Sequence, residues 1–162
     1  MVLDHIAVLT TSIERFCAEN DLHSSEPIET FADTGSRELY IDGDASGGRL
    51  LLLQPHGAGP YQRALDKRGP GLHHLGVATD DLAAARAQWV ACGWQVHPAS
   101  GAFLFQRGVP TLIELFEGMT ALGPLAATAT LATTSVRFPA LAGIRCGAET
   151  AVERGGRVLQ ML

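Results

Sequence analysis

The hydrophobic and polar positions fall into two blocks that repeat each other. Leu3-Asp4-His5-Ile6-Ala7-Val8-Leu9-Thr10-Thr11-Ser12-Ile13 runs parallel to Leu72-His73-His74-Leu75-Gly76-Val77-Ala78-Thr79-Asp80-Asp81-Leu82 at a constant offset of 69 residues. Each block predicts a short apolar strand, then small polar residues suited to a helix N-cap, then a helical pattern. The second helix is the clearer one: Leu82, Ala85, Trp89 and Cys92 recur at helical spacing and Gly93 stops it. Three extended runs follow each helix, Pro27–Phe31, Arg37–Ile41 and Arg49–Gln54 in the first half, Trp94–His97, Ala102–Gln106 and Thr111–Glu117 in the second. Asp33-Thr34-Gly35, Asp42-Gly43-Asp44, Pro98, Ser100-Gly101 and Gly108 sit where those strands must reverse. Asp42 to Gly48 faintly resembles a calcium loop, but without its twelfth-position Glu it reads as a hairpin connection.

The pattern therefore predicts an α+β fold of two βαβββ modules, residues 2–56 and 72–118, joined by a linker helix within 57–71. Neither module can bury both faces alone. Paired edge to edge, the two make one curved, mostly antiparallel sheet around a concave cleft, with helices outside. Residues 119–162 form a C-terminal extension. There Thr128–Arg137 reads as a strand, Ala148–Arg154 as a helix and Arg157–Met161 as a last strand, a degenerate βαβ-like half-copy without an equivalent His. Its expected role is structural, covering a sheet edge or a dimer contact.

Composition narrows the function. Apolar residues make up 46% of the 162 and charged residues 18%, which excludes intrinsic disorder. Twelve Lys+Arg against seventeen Asp+Glu give a net charge of −5, and no basic cluster offers a grip on nucleic acid or an anionic membrane. No apolar run approaches a membrane span, and Met1 leads straight into Val-Leu-Asp-His, so no secretory leader is expected. Cys17, Cys92 and Cys146 are odd in number and lack a C-x-x-C, which reads as reduced structural thiols in a cytoplasmic protein.

The chemistry concentrates on three residues. His5 and His74 hold the same position in the first strand of each repeat, so paired modules bring both imidazoles toward the pseudo-twofold axis inside the cleft. Glu114 lies in the otherwise apolar Thr111-Leu112-Ile113-Glu114-Leu115-Phe116 and is costly to bury unless paired or metal-bound. Two His and one carboxylate from three strands suit a divalent metal with open positions. His73 is expected to point away, as the alternation of a strand requires. His23, His56 and His97 sit in loops or at strand ends, and Met119, Phe103, Phe105 and Phe116 read as core or cleft lining. No G-x-S-x-G or nucleophilic Cys setting is present, and Gly69-Pro70-Gly71 precedes a strand, which excludes a phosphate loop.

The strings Leu-Asp-His-Ile-Ala-Val, Gly-Pro-Gly-Leu-His-His-Leu-Gly-Val and Leu-Ile-Glu-Leu-Phe-Glu resemble the vicinal oxygen chelate superfamily, which includes glyoxalase I, methylmalonyl-CoA epimerase, extradiol dioxygenases and bleomycin-resistance proteins. The linker from Gly59-Pro60-Tyr61 to Leu72-His73-His74 most resembles the epimerase-like branch, and the resemblance spans residues 2–118. It implies metal ligands at His5, His74 and Glu114, with Co, Ni, Mn, Zn or Fe as the ion. The family's fourth ligand position falls on Leu51, so that ligand is missing; Gln54 would serve only after a three-residue slip that reverses its face. The resemblance further implies a small-molecule substrate and a homodimer. An extradiol dioxygenase would need a catalytic His and Tyr on the second module's middle strands, where only His97 occurs and no Tyr. Glu38 matches a strand position where some epimerases carry a second carboxylate, making Glu38 and Glu114 the proton-transfer pair; the bland alternative pairs Glu38 with Arg37 or Lys67. The leading expectation is a metal-dependent enzyme stabilising an enolate of a small or CoA-linked carbonyl compound, epimerase- or isomerase-like. A metal-free, drug-sequestering module, a glyoxalase I-type lyase and an extradiol dioxygenase are the alternatives.

Overall fold

The structure is a computed structural model that describes residues 1–42, 46–118, 123–132 and 137–161. The first module comprises β1 (Val2–Leu9), α1 (Ile13–Asn20), β2 (Glu29–Phe31), β3 (Ser36–Ile41), the two-residue β4 (Ser46–Gly47) and β5 (Arg49–Pro55). The linker helix α2 (Pro60–Arg68) leads to the second module, β6 (Gly71–Thr79), α3 (Leu82–Ala91), β7 (Gln95–Val96), β8 (Phe103–Phe105) and β9 (Leu112–Glu117). All of these strands except β4 form one eight-stranded sheet in the order β2-β3-β5-β1-β6-β9-β8-β7, joined at its centre by the antiparallel pair β1 and β6. In each module the first strand runs parallel to the last, β1 with β5 and β6 with β9, so both modules share one topology across the seam.

The repeat extends to the helix starts. Ser12 caps α1 by accepting from the Arg15 amide, and Asp81, its equivalent, caps α3 by accepting from the Ala84 amide. Thr10 and Thr79 make matching hydroxyl contacts to the backbone of those caps. The chain leaves α3 through Gly93 at φ 95°, a left-handed turn that a side chain would strain.

Strand alternation divides the apolar residues between two faces. Ile6, Val8, Leu50, Leu52, Leu75 and Val77 join the convex core with Ile13 and Phe16 of α1 and Ala85 and Trp89 of α3. Leu51 and Leu53 face the other way with Ala7 and Leu9, and there Tyr61, Ala64 and Leu65 of α2 pack on them. Thus α1 and α3 lie outside while α2 covers part of the concave face. The four-leucine run of β5 is split two and two because that strand is buried on both sides.

The extension departs from expectation. It consists of β10 (Gly123–Leu125), which pairs with β4, and β11 (Ala127–Ala132), β12 (Ile144–Gly147), β13 (Ala151–Arg154) and β14 (Arg157–Val158) in a four-stranded sheet of order β12-β11-β13-β14. The helix expected over Ala148–Arg154 is not formed: Ala151–Arg154 pairs antiparallel with β11, Val152 is fully buried, and the Thr150 hydroxyl accepts from the Ala132 amide. Tertiary pairing here overrides the helix propensity of Ala and Glu. Ala127, Ala129, Leu131 and Val152 enter the same core as Leu3 on the convex side. The Trp94 indole donates to the Arg137 carbonyl, Arg154 pairs with Asp42, and Asn20 exchanges hydrogen bonds with the Gln160 backbone. Met119 and residues 133–136 of the expected strand lie outside the described residues.

Candidate metal centre

On the concave face the β1–β6 seam sets His5 opposite Gly76 and Ala7 opposite His74. Each imidazole therefore faces a small residue on the neighbouring strand. Gly76 is required by this contact: a Cβ there would lie 2.1–2.5 Å from three atoms of the His5 ring. Gly76 in turn pairs with Glu114 on β9, which completes the cluster. The His5 and His74 Nε2 atoms are 3.1 Å apart, and Glu114 Oε2 lies 3.5 Å from the first and 3.3 Å from the second. His5 and His74 are only 4% and 2% exposed, while the Glu114 side chain is 28% exposed and marks the open side of the cluster.

Two register shifts place an additional side chain beside each imidazole. One falls between Leu3 and His5 and leaves Asp4 without a partner residue; the other skips His73. These are β-bulges, which re-aim a side chain that strict alternation would send to the opposite face. Asp4 Oδ2 is 2.8 Å from His5 Nδ1, and His73 Nδ1 is 2.9 Å from His74 Nδ1. The expectation that His73 points away is thus overturned, and the bulge is the reason. Arg49 donates to the same Asp4 oxygen at 2.8 Å, with its guanidinium carbon 4.6 Å from the centroid of Tyr40.

The electrostatics follow from this packing. Burial opposes the charged form of His5, but Asp4 and Glu114 outweigh it and raise its pKa above the ordinary 6.5. Burial also opposes ionisation of Glu114 and Asp4, yet the imidazoles around Glu114, and His5 with Arg49 around Asp4, hold both carboxyls below their usual range. His74 is lowered by burial, and His73, buried beside His74, is pushed down to about 3. Burial with nearby carboxylates pushes the Tyr40 and Tyr61 hydroxyls up to about 12, so both remain proton donors.

The donor set fits a divalent ion. Donors bound at about 2.1 Å are separated by roughly 3.0 Å when 90° apart and about 3.4 Å in a tetrahedron. The observed 3.1, 3.3 and 3.5 Å span that range. An ionised carboxylate only accepts, so His5 carries its Nδ1 proton toward Asp4 and turns Nε2 to the centre. The ligand atoms of His5, His74 and Glu114 lie close enough together that the three could hold an ion. Leu51 pairs with Ala7 just as Glu114 pairs with Gly76, so it occupies the mirror position and supplies no donor. Leu51 is 4% exposed, among Leu53 and the residues of α2. Gln54 stays on the outer face, where it accepts from the Ile13 amide and from Arg37.

Glu38 is not among the clustered donors. It accepts from Ser36 on β3 and lines a hollow with Glu29, Phe31, Tyr40 and Arg49. Its alternative partner Arg37 is paired with Glu14 instead. Phe103 and Phe116 flank the imidazoles, edge-on to His74 at 5.5 Å and stacked near His5 at 6.0 Å, whereas Phe105 lies by His97. Sequence reasoning missed Asp4, Arg49, Tyr40 and Gly76. The two-residue period of β3 makes Tyr40 legible beside Glu38, but no local signal marks a bulge.

A family model described as the glyoxalase/bleomycin resistance protein/dioxygenase superfamily matches residues 4–110. The chain belongs to this superfamily. Among solved structures, methylmalonyl-CoA epimerase from Mycobacterium tuberculosis is 25% identical, with a TM-score of 0.54 over 73% of this chain and 88% of that one. A variant of the Streptomyces coelicolor methylmalonyl-CoA epimerase in complex with 2-nitronate-propionyl-CoA is 22% identical, with a TM-score of 0.54 over 76% of this chain and 99% of that one. A Bacillus halodurans protein, BH1468, gives 21% identity and 0.54 over 72% and 94%. No curated protein matches. The superfamily match stops before Glu114. Among the described residues, no helix is long and apolar enough to cross a membrane.

Proposed function

We propose that the protein is a metal-dependent member of the superfamily that stabilises the enolate of a small or CoA-linked carbonyl substrate, with epimerisation or isomerisation as the reaction. The observation that carries this reading is the convergence of two imidazole nitrogens and one carboxylate oxygen within 3.5 Å of one another. His5, His74 and Glu114 would hold the ion. A divalent ion bound there supplies Lewis acidity, polarising a carbonyl oxygen and neutralising charge that develops on it. Glu114, ionised and on the open side, accepts a proton from one face of the carbon next to the carbonyl. Glu38 serves the opposite face, its carboxyl steadied by the Ser36 hydroxyl. Phe103 and Phe116 exclude water from the imidazoles and present apolar walls to the substrate.

The test is metal analysis of the purified protein before and after chelation, followed by proton exchange with D2O at the α-carbon of acyl-CoA thioesters. The reading expects about one ion per chain, lost in His5→Ala, exchange that stops on chelation, and in Glu38→Gln loss of epimerisation with exchange surviving from one epimer only. Absence of metal under every loading condition overturns it. Leu51 at the mirror position favours a second reading, metal-free capture of an aromatic ligand, which would be marked by saturable binding indifferent to chelators. The homodimer expected from the resemblance belongs to either reading and is checked by light scattering.

A further inference from the structure

We propose that Asp4, clamped by Arg49, is a positioning residue that sets the orientation and donor strength of His5, while His73 is a weaker counterpart beside His74. The inference rests on the metal reading above and adds an outer layer to it. Two bulges at pseudo-equivalent places on the seam bring Asp4 and His73 onto the Nδ1 atoms of the two central imidazoles, at 2.8 and 2.9 Å. Bulges cost ladder hydrogen bonds, and a matched pair at the site, on both sides of the axis, is a built feature. Both outer partners are buried, Asp4 at 7% and His73 at 7% exposure, so water does not compete for the Nδ1 atoms.

The two partners differ in kind. Asp4 is a carboxylate held from a second side by Arg49, whose guanidinium rests over Tyr40, and Tyr40 stands edge-on to His5 at 6.0 Å. This chain from Tyr40 through Arg49 and Asp4 to His5 leaves the His5 ring one orientation. His73 is anchored by a ring contact with Tyr61 at 5.2 Å and meets His74 as imidazole to imidazole, where no carboxylate is interposed. A carboxylate on the outer nitrogen makes an imidazole a stronger metal donor, and loss of such a partner costs typically about 10–100-fold in metal affinity. The asymmetry compensates in part for Leu51: the module that supplies one donor instead of two supplies the better-supported one.

Cobalt(II) affinity, measured by competition with a chromophoric chelator, and the visible spectrum of the bound ion test the proposal on the full chain. Asp4→Asn keeps the side-chain shape and removes the charge; it is expected to lower cobalt affinity about 10–100-fold and to shift the visible bands while one ion per chain still binds. His73→Gln is expected to change affinity several-fold less. Arg49→Lys is expected to fall between them, because it keeps the charge but loses the rigid fork. Circular dichroism checks that each variant is folded; should Asp4→Asn fail to fold, Arg49→Lys carries the test. A wild-type affinity in a folded Asp4→Asn, or in Arg49→Lys if that variant stands alone, overturns the proposal and leaves the metal reading intact. Absence of cobalt binding by the wild-type protein overturns both.

Discussion

The two modules share a topology, a helix-cap chemistry and a central histidine, yet they meet the site differently. The second contributes His74 and Glu114; the first contributes His5 and, at the mirror of Glu114, Leu51. The rest of the pairing explains why the difference is stable. Leu51 lies beneath α2, packed with Leu53, Tyr61 and Leu65, whereas the Glu114 side of the cleft has aromatic walls and an opening. A duplicated scaffold can therefore devote one half to covering the site and the other to access, without altering the seam that sets the geometry.

The largest way to break the comparison is at the seam itself. Gly76→Ala drives a Cβ into the His5 ring, while the mirror position already carries Ala7 without conflict. The expected outcome is loss of metal binding and a destabilisation of about 3 kcal/mol, roughly 6–12 °C in Tm, read by thermal melting. Ala7→Gly should cost only about 1 kcal/mol. Next, Leu51→Glu makes the modules alike. Without metal a carboxylate in that apolar cluster is expected to cost about 2–3 kcal/mol, and cobalt should restore much of it, giving a larger metal-induced Tm rise than in wild type. Glu114→Leu makes them alike in the other sense and should abolish the metal-induced rise.

A pH titration separates the two histidines. His5 has a raised pKa, His74 a lowered one, and Glu114 is already ionised, so only His5 must release a proton to accept an ion near neutrality. Metal affinity should be flat above the His5 pKa and fall about tenfold per pH unit below it. The metal-free protein responds oppositely: stability contributed by protonated His5 is complete below 6.5 and is lost as pH rises through its folded-state value. Calorimetric titration in buffers of different ionisation enthalpy reads the released proton. The smallest effect concerns the caps. Ser12→Ala and Asp81→Ala should each cost about 1 kcal/mol and leave metal binding unchanged, since both helices stand on the convex side.

The parts of this design legible in the sequence are those that repeat. The offset between His5 and His74 identifies two strands, two caps and a central pair of imidazoles before any coordinates, and the apolar surroundings of Glu114 single it out. The bulges are not legible, because one extra residue in a strand leaves no local composition signal; strict alternation consequently sends His73 to the wrong face and gives no reason to single out Asp4. The helix expected over Ala148–Arg154 fails for the opposite reason. Its local preference is real, but Val152 gains more by burial beside Ala129 than a short surface helix could return.

The hydrogen bonds between Asn20 and Gln160 span 140 residues, and the pairing of Arg154 with Asp42 spans 112. On a ribosome adding about 5–20 residues per second, the first helix therefore waits roughly 7–28 s for its last partner to be made. Once β9 has been made both modules can dock through their seam, and the apolar convex surface around Leu3 then has no cover until β11 and β13 follow. The nascent chain is expected to be most exposed to chaperones and to self-association between the synthesis of β9 and that of β13, and a translational pause in that stretch should prolong the exposure.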